Sequence, residues 1–411
     1  MQEENGMQVE KGMQAENSIQ EENNMQAENS IQEENNMQKE NSIQDGKGTF
    51  GEIGKKEKTN GDGVFGKMST TENQISDKNV EWKSEGSWKE RKDIKVERVM
   101  KRPEGTVDVI IPTYKPDETF AVLMERLQKQ TIKPERIIIL NTRTENDKDA
   151  EQLSAKYGRA DYVKIIHIEK SEFDHGGTRK YGATLSDAEY MLFMTQDAIP
   201  HDKQLVERLL EPMQKKNVAA AYARQLPRKD AGIIESYTRT FNYPEEPSVK
   251  SKKDLETLGI KTYFCSNVCA IYRKSVYEEL GGFVEKTIFN EDMIMASKMI
   301  QAGYDIAYAA KAKVIHSHHY TWKQQFSRNF DLAVSQKQYR EVFAGIKSES
   351  EGIRLVKKTA EYLKHHHKAH LIPGLIMESG FKYLGYKCGY HYDKLPKKLV
   401  KKWSMNKGYW E

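Results

Sequence analysis

Four short stretches of this 411-residue chain gather side chains that do chemistry. The first is FMTQDAIP, residues 193–200, where a single carboxylate, Asp197, follows the apolar run AEYMLFM. A carboxylate at the end of a buried strand can ligate a metal or a substrate. It can equally cap a helix or close an Asx-turn, and HDKQLVERLL follows closely enough to be that helix. The second stretch is HGGTRK, residues 175–180. Gly176 and Gly177 would let the backbone approach a ligand, and the helix start that follows favours anions. Arg179 and Lys180 carry charge suited to a diphosphate. The spacing is neither that of a P-loop nor GxGxxG, and the bland reading is a loop before a helix.

The third stretch, NEDMIMASKMIQAGY at residues 290–304, is a predicted helix with Glu291 and Asp292 in its first turn. Two acids there complement the helix dipole whatever the protein does. At the edge of a cleft, one of them is a general base. The preceding GGF, residues 281–283, is a turn that would position it. The fourth stretch is VIHSHHYTW. At the end of a strand His316 and His318 point to one face and form a metal corner, while His319 points to the other. HHHK at residues 365–368 lies in a basic helical region and is assigned to the surface.

The elements that must hold these groups follow from patterning. VDVIIP, RIIILN, YVKIIHI and AEYMLFM are predicted strands. They alternate with helical segments such as FAVLMERLQKQ, which argues for a parallel α/β sheet with crossover helices. Ligands bind such sheets beyond the carboxyl ends of the strands. That rule selects Thr113 and Tyr114, Asn141 to Arg143, and Gln196 with Asp197.

Composition sets the outer limits. Hydrophobic residues make up 37% of the chain and the net charge is +4. No run of about 18 apolar residues would span a membrane, and the polar N-terminus has no signal-peptide pattern. Three cysteines without a CxxC pair fit a reducing, cytoplasmic setting. Residues 1–48 repeat with a period of six, as MQAENS and IQEENN. One apolar residue in six forms no helical stripe, so residues 1–100 are assigned to a disordered leader and linker. From Phe381 onward, eight lysines stand against two acids with aromatics interleaved. That mixture suits an anionic membrane surface, and no nucleic-acid module accompanies it.

Taken in order, these motifs resemble the family 2 glycosyltransferases of the GT-A fold, and among them the bacterial rhamnosyltransferases of surface polysaccharides. The resemblance covers about residues 105–340 and rests on FDHGGTRK, LFMTQDAIP, SNVCAIYRKSVYEELGGF, NEDMIMASKM and VIHSHHYTW, with the tail KLPKKLVKKWSMNKGYW. It implies a Rossmann-like, mostly parallel sheet flanked by helices over 101–340 and a helical basic-aromatic extension over 341–411. It implies that Pro112, Thr113 and Tyr114 line the nucleotide base pocket, with Asn141 and Arg143 at the neighbouring turn. Gly176, Gly177, Arg179 and Gln196 would serve the donor. Asp197 matches the last acid of the family's DxD motif, whose first acid is Thr195 here. Asp292 would be the general base and Glu291 would orient the acceptor. Asp197, His316 and the reserve ligand His318 would hold a divalent cation, Mg²⁺ or Mn²⁺. The implied activity is inverting transfer of a sugar, L-rhamnose from dTDP-rhamnose, to a glycan or polyprenyl-diphosphate-linked acceptor at the inner face of the bacterial plasma membrane. The alternatives are transfer of another hexose and a non-catalytic module that binds nucleotide sugars or glycans.

Overall fold

Four parallel strands carry the first half of the chain. The computed structural model describes residues 105–145, 147–343 and 349–411. The hexad repeat and linker expected over residues 1–100 lie outside them. Strands β1 (Val107–Tyr114), β2 (Arg136–Thr142), β3 (Val163–Ile168) and β4 (Tyr190–Met194) are the four apolar runs of the sequence. They lie in the order β3-β2-β1-β4, all parallel. The crossover helices are α1 (Glu118–Gln128), α2 (Lys148–Tyr157) and α3 (His175–Thr184). Helix α1 starts where it does because the Asp117 carboxylate accepts from the Thr119 and Phe120 amides. It buries Phe120, Leu123, Met124 and Leu127, one face at i, i+3, i+4 and i+7. Each such burial stabilises by about 1.5–3 kcal/mol.

The second half departs from a simple parallel repeat. The short β5 (Ile199–Pro200), helix α4 (Leu205–Met213), β6 (Val218–Leu226), α5 (Ile233–Asn242), β7 (Ser248–Lys250) and α6 (Leu255–Leu258) lead to β8 (Cys269–Arg273). Strand β8 inserts antiparallel between β4 and β6. Helices α7 (Lys274–Glu279) and α8 (Glu291–Gln301) precede β9 (Asp305–Ile315), which runs parallel to β6 and antiparallel to β5 and β7. The outcome is a mixed nine-stranded α/β sheet with helices on both faces. One core packs α1 and α4 on one face, and the other packs α3 and α8 on the opposite face. The expected helix at HDKQLVERLL begins only at Leu205. The Asp202 carboxylate accepts from the Gln204 amide and holds residues 201–204 out of it.

The chain ends in helices α9 (Trp322–Gln338), α10 (Arg340–Phe343), α11 (Glu349–His365), α12 (Ile372–Tyr390) and α13 (Lys397–Trp403). Helix α12 lies directly on α9. A Cβ on Gly385 would come within 2.2 Å of the Phe326 carbonyl oxygen, and one on Gly389 within 2.1 Å of the Phe330 carbonyl oxygen. Only glycine lets the two backbones approach that closely. Phe330, Val334 and Val400 close a third core with Ile288, and Phe289, Trp403, Tyr409 and Trp410 pack against it. The C-terminal helices are thereby built onto the loop that leads into α8.

Candidate active site

The carboxyl ends of β1, β4 and β6, the loops before β8 and after β9, and the starts of α3 and α8 supply the site. Gln196 ties the first two strand ends together. Its side-chain oxygen accepts from the Tyr114 amide at 2.8 Å, and its side-chain nitrogen donates to the Tyr114 carbonyl at 3.1 Å. That pair of hydrogen bonds fixes the Tyr114 backbone, and the residue stays 43% exposed. Thr113 and Asn141 point at each other, with the hydroxyl donating to Asn141 Oδ1 at 3.0 Å. Both are buried, and the Asn141 amide nitrogen also meets His167 Nδ1 at 3.2 Å. They brace the strand ends from within instead of facing a base. Arg143 is held by Asp147 and by Glu169, the latter at 3.4 Å.

The HGG segment is not a loop. Helix α3 begins at His175, capped by Asp174, whose carboxylate takes the Gly177 amide. Gly176 packs closely. A Cβ there would stand 1.8 Å from the Val284 carbonyl oxygen. The close approach it permits is to the protein's own backbone, and the Gly177 amide is taken by the Asp174 cap. Arg179 is buried, its Nη1 donating to the His175 carbonyl at 2.9 Å and lying 3.3 Å from Glu291 Oε1. Among the described residues its Nε has no hydrogen-bond partner.

Glu291 and Asp292 open α8 as expected, after Asn290 in the left-handed conformation at φ 65°. Asparagine tolerates that conformation, and its side chain also donates to the Leu332 carbonyl on α9. Asn267, just before β8, serves both acids. Its side chain donates to Glu291 Oε1 at 3.2 Å and its backbone N–H to Asp292 Oδ2 at 3.1 Å. Burial pushes the Asp292 carboxyl up to about 7, and the neighbouring Glu291 charge adds to the rise. Asp174 is likewise raised by burial to about 6. His175 is lowered by burial.

Asp197, His316 and His318 converge. Asp197 Oδ2 lies 3.5 Å from His316 Nε2 and 3.4 Å from His318 Nε2. Asp197 does not cap α4, which starts eight residues later with Gln204 at its cap position. His319 points away and meets Asp230 at 3.3 Å. His316 Nδ1 lies 3.0 Å from Gln225 Oε1, an oxygen that already accepts from Arg239 Nη1 at 2.6 Å. The Gln225 amide nitrogen donates to Ser266, so its oxygen is the acceptor and His316 Nδ1 carries the proton. Burial pushes His316 down to about 3, so its ring is neutral near pH 7. Its Nε2 lone pair therefore faces a carboxylate oxygen, acceptor against acceptor. A cation between them resolves the clash. Two ligand atoms bound at about 2.1 Å and at a tetrahedral angle sit about 3.4 Å apart. The three groups fit a divalent cation, and one oxygen with two imidazoles suits Mn²⁺ better than Mg²⁺.

The family model "Glycosyl transferase family 2" matches residues 108–281. The O-antigen chain rhamnosyltransferase WbaN of Salmonella anatum is 42% identical over 307 residues, 74% of this chain and 95% of that protein. The chain belongs to glycosyltransferase family 2. A second relative, the O-antigen chain rhamnosyltransferase RfbN of Salmonella typhimurium, is 39% identical over 74% of this chain and 96% of its own length. Among solved structures, the mannosyltransferase PcManGT of Pyrobaculum calidifontis, in complex with GDP-Man and Mn²⁺, is 12% identical. It covers 74% of this chain and 84% of that chain at a TM-score of 0.43. The fold of this family 2 glycosyltransferase rests on its own sheet order and register.

Four of its site residues escaped the sequence reading: Gln225, Arg239, Asn267 and Arg328. Gln225 sits at the end of β6, where the rule that selected Gln196 would have found it. Asn267 lies inside SNVCAIYRK, which carried the resemblance but no role. Arg328, on α9, has its guanidinium carbon 4.9 Å from the Phe289 ring centre. Nothing in its spacing singles it out.

Proposed function

We propose that this glycosyltransferase moves L-rhamnose from dTDP-rhamnose, with inversion, to a glycan or polyprenyl-diphosphate-linked acceptor of a surface polysaccharide. The relatives named for rhamnosyl transfer support the sugar. Asp292 carries the chemistry. It is a half-buried carboxylate with a pKa near 7, fixed by the Asn267 amide beside the charged Glu291. In one displacement the acceptor oxygen bonds to the anomeric carbon while its proton passes to Asp292. The bond from that carbon to the diphosphate oxygen breaks, and the electron pair leaves with the diphosphate. Attack from the face opposite the leaving group inverts the centre. A base tuned close to the working pH contributes about 10²–10⁴-fold. Glu291 orients the acceptor. Tyr114, with its backbone clamped by Gln196, offers its exposed ring to the nucleotide base.

Asp197, His316 and His318 would hold the divalent cation. When bound, it would neutralise charge on the leaving diphosphate. Turnover across a panel of nucleotide sugars, with and without EDTA, tests the reading. Preference for dTDP-rhamnose with loss on chelation is expected. Turnover of a different hexose donor alone overturns the sugar, and no turnover of any donor overturns the enzyme.

We assign the cytoplasmic face of the plasma membrane as the place of action, with α12 as the contact. Among the described residues no helix is long and apolar enough to cross a membrane. Helix α12 is apolar on both sides. One side packs on α9, and the other exposes Ile376, Met377, Tyr383 and Leu384, each at 47–59%. Lys394, Lys397, Lys398 and Lys402 are also exposed nearby in sequence. Trp403, Tyr409 and Trp410 are half-buried against the third core, so the aromatic content of the tail is only partly available to lipid. Sedimentation with anionic vesicles should fall for Tyr383→Asp/Leu384→Asp and stay unchanged if α12 is not the contact. Point variants are preferred because truncation near residue 375 would strip α12 from α9.

A further inference from the structure

Three arginines stand around the site, and two are already committed. Arg179 is locked by the His175 carbonyl and Glu291. Arg239 is locked by Glu235 at 2.8 Å and Gln225 at 2.6 Å. Arg328 is different. Among the described residues no carboxylate lies within 4.0 Å of it, and it lies half-buried over the Phe289 ring. Phe289 immediately precedes Asn290, Glu291 and Asp292, and its ring centre lies 6.4 Å from that of His175. On the other side, the Tyr320 ring packs 4.9 Å from His318. Arg328 hydrogen-bonds the Tyr320 side chain, and its charge acts on His175 and on both histidines of the triad. It therefore bridges the Tyr320 ring that packs on His318 and the Phe289 ring that leads into Glu291 and Asp292.

We infer that Arg328 binds the diphosphate of the nucleotide-sugar donor, the part that the sequence assigned to Arg179. A planar fork presents two parallel donors to phosphate oxygens, and a ring beneath it holds the plane in place. Arg179 then acts behind the acids, holding Glu291, instead of on the diphosphate. This inference rests on the reading of the chain as a nucleotide-sugar transferase and deepens it.

The test is calorimetric titration of the full chain, with Mn²⁺ present, against dTDP, dTMP and thymidine. Arg328→Gln should weaken dTDP binding by about 10-fold or more, as expected for losing a charge-assisted contact. It should leave thymidine binding unchanged and move dTMP little. Arg328→Lys, which keeps a cation over Phe289, should recover part of the dTDP affinity. Equal weakening of all three ligands would assign Arg328 a purely structural role and overturn the inference. Unchanged dTDP affinity would overturn it as well. If a raised KM for a polyprenyl-diphosphate acceptor accompanied that result, the guanidinium would serve the acceptor. A wild-type chain that binds UDP or GDP but not dTDP would overturn the choice of nucleotide and leave Arg328 to be judged on the diphosphate that binds. Failure of the wild type to bind any nucleoside diphosphate would overturn both readings.

Discussion

Arg179 Nη1 lies 3.3 Å from Glu291 Oε1, and both side chains are 8% exposed. This buried pair sets the character of the acid next to it. Glu291 faces the Arg179 guanidinium. Among the described residues Asp292 has no such partner; it receives the backbone N–H groups of Asn267 and Met293 and sits beside the Glu291 charge. Two adjacent carboxylates thus sit in different surroundings, and Asp292 is the one raised toward the working pH of a base.

The pair predicts opposite shifts of the pH profile. Glu291→Gln removes the charge that helps raise Asp292, so the acid limb of kcat/KM should move to lower pH. Arg179→Gln removes a charge that lowers it, so the limb should move to higher pH. The second variant also leaves Glu291 buried and unpaired, which costs about 3–5 kcal/mol of stability. Rate profiles and denaturant unfolding on the same preparations check both.

Stability should depend on pH through the same group. The folded pKa of Asp292, about 7, lies above its ordinary value of 3.8. Between those values the folded state binds more protons than the unfolded, so stability falls as pH rises from about 4 to 7. Asp292→Asn removes that penalty. Its melting temperature should exceed that of wild type at pH 8, with the advantage vanishing toward pH 4. A constant difference at all pH values would show that the Asp292 carboxyl is not raised.

The cation site should depend on Gln225, which touches no ligand position itself. Gln225→Ala frees the His316 ring from the tautomer that turns its lone pair toward Asp197. Mn²⁺ affinity, read by titration without substrate, should fall about 10–100-fold. Affinity equal to wild type would mean that Asp197 and His318 set the site alone.

Gly176→Ala should destabilise by about 1–3 kcal/mol, since its Cβ meets the Val284 carbonyl oxygen at 1.8 Å. Gly380→Ala, on α12 with open space around it, should stabilise by about 1 kcal/mol or less. Chemical denaturation of the two variants separates a packing glycine from a free one.

Much of this was legible in the residues. The apolar runs of β1 to β4 and the shared face of His316 and His318 follow from periodicity. The helix start at Glu291 follows from its acids and the turn before them. The antiparallel insertion of β8 does not, because CAIYR carries no sign of its partners' direction. The HGG segment was misread for a related reason. Glycine reports that something comes close, and only the tertiary structure shows that Val284, not a ligand, is what approaches. Thr113 and Asn141 lie at the strand ends the topology rule selects, yet a hydrogen bond turns them inward. Arg328 sits 36 residues beyond Asp292 on a helix of mixed composition, so only folding brings it to the site.

The central claim is that Asp292 takes the acceptor proton. The most direct measurement is single-turnover transfer by Asp292→Asn with the preferred donor and a saturating acceptor, alongside titration of the nucleoside diphosphate. Turnover should drop by about 10²–10⁴-fold with diphosphate affinity unchanged. Transfer at close to the wild-type rate would contradict the account.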